Sequence, residues 1–382
     1  MIRSITILGS TGSIGLQALE IVDENPELFS VFAITSAGNN PDVVIAQARK
    51  YKVSFVGTIN NGELIRQALP GVTVIDGGDA SAEIAAMKVD VVLNAITGSI
   101  GLAPTLAAIN SGNQLALANK ESLVAGGDIV MPRAKAHQIL PVDSEHSALL
   151  QALAGNRTED VSKLILTASG GPFRDRDNLE SVTLEEALAH PTWSMGPVVT
   201  INSATLMNKG LEIIEAHHLF NIGYDKIEAV IHPQSVVHSM VEYIDGSTIA
   251  QASPPNMRGP IALAMNAPHR TARATVPLDW SKAHTWTFAP ISEEKFPAVA
   301  LARFVGAQGG ALPAIFNASN EVAVDAFIAK KIRFIDIVPT VAAIVETYNV
   351  GSAPGIRDLA DVSAIEQDAR TRTLAHLAKV VS

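Results

Sequence analysis

The chain has 382 residues, 47% hydrophobic and 17% charged. That composition excludes a disordered or low-complexity protein, and the length calls for two or three domains rather than one core. Lys and Arg number 28 against 38 Asp and Glu, a net charge of −10 with no basic block, so no nucleic-acid partner is expected; the absence of cysteine excludes disulfides, thiolate metal sites and a cysteine nucleophile.

The first strand-like run, residues 5–8, begins almost at Met1, so no signal or transit peptide is expected. No apolar stretch approaches membrane-spanning length, so no membrane partner is expected and the chain reads as cytoplasmic. Over residues 1–145, short β-branched runs (5–8, 31–35, 54–57, 89–95 and 114–118) alternate with helical patterns (16–25 and 42–50). This βαβα rhythm predicts a Rossmann-like parallel sheet. Over 146–267 the pattern predicts an α+β domain, with strands at 163–167, 228–231, 236–243 and 248–251 and turn-rich loops between them. Residues 268–292 read as a connecting arm. Beyond it, helical patterns at 296–306, 317–330, 334–349 and 359–378 predict a small all-α C-terminal domain over 293–382. No internal repeat is visible.

Gly9-Ser10-Thr11-Gly12-Ser13-Ile14-Gly15 follows the first strand and opens a helix. It reads as a tight strand-to-helix turn or, better at a first βα turn, as a pyrophosphate loop in which Thr11, Gly12, Ser13 and Ile14 meet a dinucleotide. After the second strand, Thr35-Ser36-Ala37-Gly38-Asn39-Asn40 lacks the carboxylate that would hold a ribose 2′-hydroxyl. A neutral loop at Gly38, Asn39 and Asn40 accepts a 2′-phosphate without repulsion, which favours NADP over NAD. Ala118-Asn119-Lys120-Glu121-Ser122 ends a later strand on the ligand side of the sheet. Asn119 and Glu121 therefore join the cofactor set, while Lys120 reads equally as a functional lysine or a surface lysine beside a carboxylate.

Leu140-Pro141-Val142-Asp143-Ser144-Glu145-His146 puts two carboxylates two positions apart after an apolar run. On an extended strand Asp143 and Glu145 would point to one side and converge on a cation; the ordinary alternative is a solvated strand end or a helix-capping pair. Ser203-Ala204-Thr205-Leu206-Met207-Asn208-Lys209-Gly210-Leu211-Glu212 reads as a helix opening with Asn208 and Glu212 one turn apart. Asp143, Glu145 and Glu212 beside Ser, Asn and Lys suggest a hard divalent metal with open positions and an anionic substrate.

These motifs, together with Ser169-Gly-Gly-Pro-Phe-Arg174, His190-Pro-Thr-Trp-Ser-Met-Gly196, His232-Pro-Gln-Ser-Val-Val-His238 and Phe316-Asn-Ala-Ser-Asn-Glu-Val322, closely resemble the 1-deoxy-D-xylulose 5-phosphate reductoisomerase family. The resemblance implies a homodimeric, three-domain oxidoreductase of isoprene biosynthesis by the methylerythritol phosphate route. It would use NADPH and Mg²⁺, Mn²⁺ or Co²⁺ to turn a small phosphorylated sugar, 1-deoxy-D-xylulose 5-phosphate, into 2-C-methyl-D-erythritol 4-phosphate. By the same resemblance Asp143, Glu145 and Glu212 are metal ligands, and Lys120, Glu145 and His190 are catalytic. Ser144 and Glu145 touch substrate hydroxyls, and Ser169, Ser203, Asn208 and Lys209 hold its phosphate beside Glu212. His190, Trp193 and Met195 belong to a lid near 190–200, and Gly196 joins the cofactor set. Without the motif, His190 reads as a loop histidine and Trp193 as a core aromatic, while Lys209 reads equally as an exposed helix lysine or, beside Asn208 and Glu212, as part of a lined pocket. His232 and His238 read as structural. Asn39, Pro197-Val198, Asn202 and Asn256 depart from the family's usual residues; they bear on NADPH preference, lid behaviour and charge at the phosphate end.

Overall fold

The computed structural model describes residues 2–193, 195–348 and 355–380, so Ser194 of the expected lid and Asn349 of an expected helix lie outside the described residues. The chain divides into two compact units. The first is Met1–Ser122, Pro132–Ser147 and Asn256–Val276; the second is Leu123–Met131, Ala148–Pro255 and Pro277–Ser382.

The first unit is a seven-stranded sheet, ordered β4-β3-β2-β1-β5-β6-β7. Its strands are β1 (Arg3–Leu8), β2 (Phe29–Ser36), β3 (Phe55–Thr58), β4 (Thr73–Asp76), β5 (Val91–Asn94), β6 (Gln114–Leu117) and β7 (Ile139–Pro141), all paired in parallel. Val91, Val92 and Leu93 are wholly buried, as are Leu115, Ala116 and Leu117. Such continuous apolar runs mark strands covered on both faces. The covering helices are α1 (Ser13–Glu24), α2 (Pro41–Tyr51), α3 (Gly62–Ala68), α4 (Ala80–Ala85) and α5 (Leu102–Asn110). Short helices α6 (Glu121–Val124) and α7 (Gly127–Val130) follow β6, and α8 (Ser144–Leu153) follows β7; α7, the end of α6 and α8 from Ala148 onward belong to the second unit.

The second unit holds a mixed five-stranded sheet, ordered β11-β10-β8-β9-β12. Its strands are β8 (Val161–Ala168), β9 (Ile227–Ile231), β10 (Val237–Tyr243), β11 (Thr248–Ala252) and the two-residue β12 (Ala289–Pro290). Strands β8 and β9 pair in parallel and the other pairs are antiparallel. Between β8 and β9 run α9 (Leu184–Ala187), α10 (Pro197–Ala204) and α11 (Met207–Phe220). α12 (Arg258–Asn266) belongs to the first unit, where it packs on α1, β6 and β7.

The C-terminal region is helical, with α13 (Ala298–Gln308), α14 (Leu312–Ile328), α15 (Ile337–Thr347) and α16 (Leu359–Val380). α14 starts five residues before the expected helix, because Pro313 in its first turn lacks only an N–H that a helix start leaves unbonded anyway. Leu312, Ile315, Phe316, Val324, Phe327, Phe334, Val341 and Ile344 share a buried cluster with Ile201, Met207, Leu211 and Ile214 of α10 and α11. Among the described residues no helix is long and apolar enough to cross a membrane.

Candidate active site

In the first unit, strand order reverses between β1 and β5, and open parallel sheets bind ligands at the carboxyl ends flanking such a reversal. The Gly9–Gly15 loop lies there. A Cβ on Gly15 would fall 2.3 Å from the Gly9 carbonyl oxygen and 2.6 Å from Ser10 Cα, so only glycine lets α1 start this close to β1. Ser10 Oγ donates to Gln47 Oε1 (2.8 Å) and Gln47 Nε2 returns a bond to the Ser10 carbonyl (3.1 Å), tying the loop to α2. Thr11, Gly12 and Ser13 are exposed, and the N-cap Gly12 offers no side-chain cap. The first-turn N–H groups of α1 are thus available to an anion.

Asn119 is buried and holds the loop after β6 against the loop after β5. Its Nδ2 lies 2.8 Å from the carbonyls of Ile96 and Gly98 and from Glu121 Oε2, and Glu121 Oε1 accepts the Gly98 N–H (3.2 Å). Between them, Lys120 reaches Asp143 and pairs with its Oδ2; the two side chains are 17% and 10% exposed.

Asp143 and Glu145 do not lie on a strand. β7 ends at Pro141, and Asp143 Oδ1 accepts the backbone N–H of Glu145 (3.0 Å) and His146 (3.3 Å), capping α8. Aspartate before a first turn that carries another acid is a preferred helix start, which outweighs strand alternation here. The two carboxylates still converge, with ligand oxygens within 4.8 Å of each other. Burial by itself would raise the Asp143 carboxyl. The Lys120 ammonium and the His146 imidazole, with Nδ1 3.1 Å from Oδ1, overcome this and hold it well below the usual carboxylate range. Ser144 Oγ donates to Glu145 Oε2 (2.6 Å).

In the second unit, α10 and α11 are separated at Leu206, whose φ of 58° breaks the helix. On the first turns of α11, Asn208 Nδ2 donates to Glu212 Oε1 and Lys209 Nζ pairs with Glu212 Oε2. Lys209 and Glu212 are 3% and 1% exposed, so neither is a surface helix residue. A buried ion pair of this kind needs its extra hydrogen bonds, here from Asn208.

The Ser169-Gly170-Gly171 turn follows β8. A Cβ on Gly171 (φ 63°) would sit 2.9 Å from the Ser203 carbonyl oxygen, so the turn packs directly on the end of α10 at Ser203. His190 Nδ1 accepts the N–H groups of Thr192 (3.1 Å) and Trp193 (2.9 Å). Its Nε2 therefore carries the ring proton of the neutral form and donates to Ser169 Oγ at 3.0 Å. Burial, and then the Arg174 guanidinium, pushes the imidazole below its usual value and favours that neutral form. Ser169 Oγ also accepts the Gly171 N–H (3.2 Å), which leaves its own hydroxyl proton to donate to an anionic oxygen. The Trp193 ring lies 6.3 Å from the His238 ring, and Gly196 is exposed at the start of α10.

Within each unit the expected residues are placed as follows: Thr11 to Ile14, Gly38, Asn39 and Asn40 follow the carboxyl ends of the paired strands β1 and β2, Lys120 meets Asp143 beside Ser144 and Glu145, Ser169 meets His190, and Ser203 packs on Gly171 two residues beyond Ser169. His232 is spent structurally: Nε2 accepts the N–H groups of Val236 and Val237, and Nδ1 donates to the Thr287 carbonyl (2.9 Å). Asn202, another departure, accepts from Asn320 Nδ2 (3.0 Å) in a buried amide pair. Sequence reasoning passed over His146, which is wholly buried behind Asp143. Its spacing three residues after a capping aspartate was the available signal.

The chain matches three sequence profiles of one family: 1-deoxy-D-xylulose 5-phosphate reductoisomerase over residues 5–127, its C-terminal domain over 139–220, and the DXP reductoisomerase C-terminal domain over 252–372. It is 52% identical to the 1-deoxy-D-xylulose 5-phosphate reductoisomerase of Arthrobacter sp. (strain FB24), covering 100% of this chain and 99% of that one. The solved Zymomonas mobilis reductoisomerase in complex with NADPH is 40% identical, with a TM-score of 0.92 and 99% of both chains covered. A DOX-P reductoisomerase in complex with NADPH, fosmidomycin and magnesium is 36% identical, with a TM-score of 0.94 and the same coverage. End to end, the chain belongs to the 1-deoxy-D-xylulose 5-phosphate reductoisomerase family.

Proposed function

We propose that this chain isomerises 1-deoxy-D-xylulose 5-phosphate and reduces the product with NADPH to 2-C-methyl-D-erythritol 4-phosphate, a step of isoprenoid precursor synthesis. The observation that carries the reading is the family match along the whole chain, joined to relatives solved with NADPH and with magnesium. Asp143, Glu145 and Glu212 hold the divalent cation. An all-carboxylate donor set, with Asp143 kept ionised by its neighbours, suits Mg²⁺, Mn²⁺ or Co²⁺, and three ligands leave positions open for substrate oxygens. Bound there, such an ion supplies Lewis-acid polarisation of the ketone, and NADPH supplies the hydride.

The chain's own side chains do the rest. Lys120 places an ammonium where negative charge develops on substrate oxygen, and Ser144 and Glu145 contact substrate hydroxyls. Ser169, Ser203, Asn208 and Lys209 hold the phosphate, with the Ser169 hydroxyl proton turned toward it because His190 and Gly171 occupy its acceptor side. His190, Trp193 and Met195 close over the substrate and exclude water from the intermediate. Thr11 to Ile14, Gly38 to Asn40, Asn119, Glu121 and Gly196 position the dinucleotide. Residues 1–145 form the NADPH domain, 146–267 the catalytic and dimerisation domain, 268–292 the arm and 293–382 the helical domain of a cytoplasmic homodimer.

Nicotinamide absorbance tests this directly. Oxidation of NADPH should require both the substrate and a divalent metal and stop with EDTA, and the product should be a branched C-methyl polyol phosphate. Glu212→Gln should abolish turnover while NADPH still binds; turnover indifferent to chelation refutes the metal role.

A further inference from the structure

We propose that this chain distinguishes NADPH from NADH by neutral amide hydrogen bonds alone, centred on Asn39, and so discriminates between them weakly. The inference rests on the assignment of the first unit's β1 end as a dinucleotide site. Such sites select a 2′-hydroxyl with a carboxylate at the end of the second strand, or a 2′-phosphate with a nearby cation. Here Ser36-Ala37-Gly38-Asn39-Asn40 carries neither, and the facing loop after β3, Thr58-Ile59-Asn60-Asn61, adds two more amides.

These amides are organised. Asn60 Nδ2 donates to the Ala37 carbonyl (3.0 Å) and to Asn39 Oδ1 (3.1 Å), and Asn61 Nδ2 donates to the Gly38 carbonyl (2.8 Å). With its oxygen engaged, the exposed Asn39 turns Nδ2 to solvent as a neutral donor that has no partner among the described residues. The cations on the flanking helices are committed elsewhere. Arg66 of α3 pairs with Glu63 (2.5 Å) and Asp76 (3.2 Å), Lys50 at the end of α2 pairs with Asp23 (2.7 Å), and Arg49 donates to the Ala68 carbonyl (2.8 Å). A neutral donor bonds a phosphate oxygen only modestly better than a hydroxyl, whereas a cation would favour the dianion strongly.

The test is a fluorescence titration of the full chain with NADPH and with NADH at several salt concentrations, read as Kd. The expected ratio is about tenfold or less, with both affinities weakening in parallel as salt rises. N39K should tighten NADPH by about tenfold without moving NADH, and should make NADPH binding the more salt-sensitive. N39L, which keeps an uncharged surface side chain but no donor, should bring NADPH to the NADH value. A native preference above about a hundredfold, or an N39K variant in which NADPH gains nothing over NADH, overturns the proposal. Binding of neither dinucleotide overturns the site assignment itself and this inference with it.

Discussion

Asp143 gives its two oxygens separate tasks: Oδ1 caps α8 and faces His146, while Oδ2 meets Lys120. The tasks can be separated by substitution. Asparagine caps helices nearly as well as aspartate but brings no ionised oxygen, so Asp143→Asn should lose Mn²⁺ affinity and turnover while keeping the cap. Asp143→Ala removes the cap as well and should be about 1 kcal/mol less stable than the asparagine variant in urea unfolding. Equal stability of the two would show that the cap contributes nothing. This residue also shows what was legible at its scale. That Asp143 and Glu145 converge was readable from their spacing, but the strand geometry assumed for it was wrong, and the cap signal in Asp-Ser-Glu was on the page. The Lys120 partner was not readable, because 23 residues and a strand crossover separate the pair and no local period reports such a meeting.

Elements with a long internal period were legible, and those defined by their neighbours were not. Asn208, Lys209 and Glu212 fall within one turn of α11, so their meeting follows from helix geometry alone. Strand β4, Thr-Val-Ile-Asp at 73–76, carries only two aliphatic residues and has one buried position. It is a strand because β3 offers an open edge to pair with. The β1–α1 turn was legible for a different reason, since its glycines include Gly9 and Gly15, where a Cβ would fall within 2.7 Å of a backbone oxygen. Gly15→Ala should therefore destabilise the first unit by about 1–3 kcal/mol, because the added methyl must displace the Gly9 carbonyl. Thermal melts with and without NADPH check it: a lower melting point together with a smaller cofactor-induced rise is expected, and an unchanged rise would mean that the turn does not carry the dinucleotide.

At the scale of the whole molecule, the division into two units was the least legible feature, because the chain passes between them five times. Reading along the sequence favours contiguous blocks, yet residues 256–276 belong by their contacts to the first unit. There α12 buries Ile261, Ala262 and Met265 and packs on α1, β6 and β7, while Arg258 pairs with Glu20 (3.1 Å) and Glu24. A fragment ending at residue 150 would leave that apolar surface uncovered. Such a fragment should bind ANS and unfold at lower urea than the same fragment joined by a flexible linker to 256–276; equal behaviour would mean that α12 adds nothing to the unit's stability.

The late return of α12 sets a timetable for biosynthesis. When the ribosome has made the seven parallel strands, the helix that seals them is still more than a hundred codons from translation. The nascent first unit must therefore wait with one flank open, exposed to chaperones, while four strands of the mixed sheet, β8 to β11, are made.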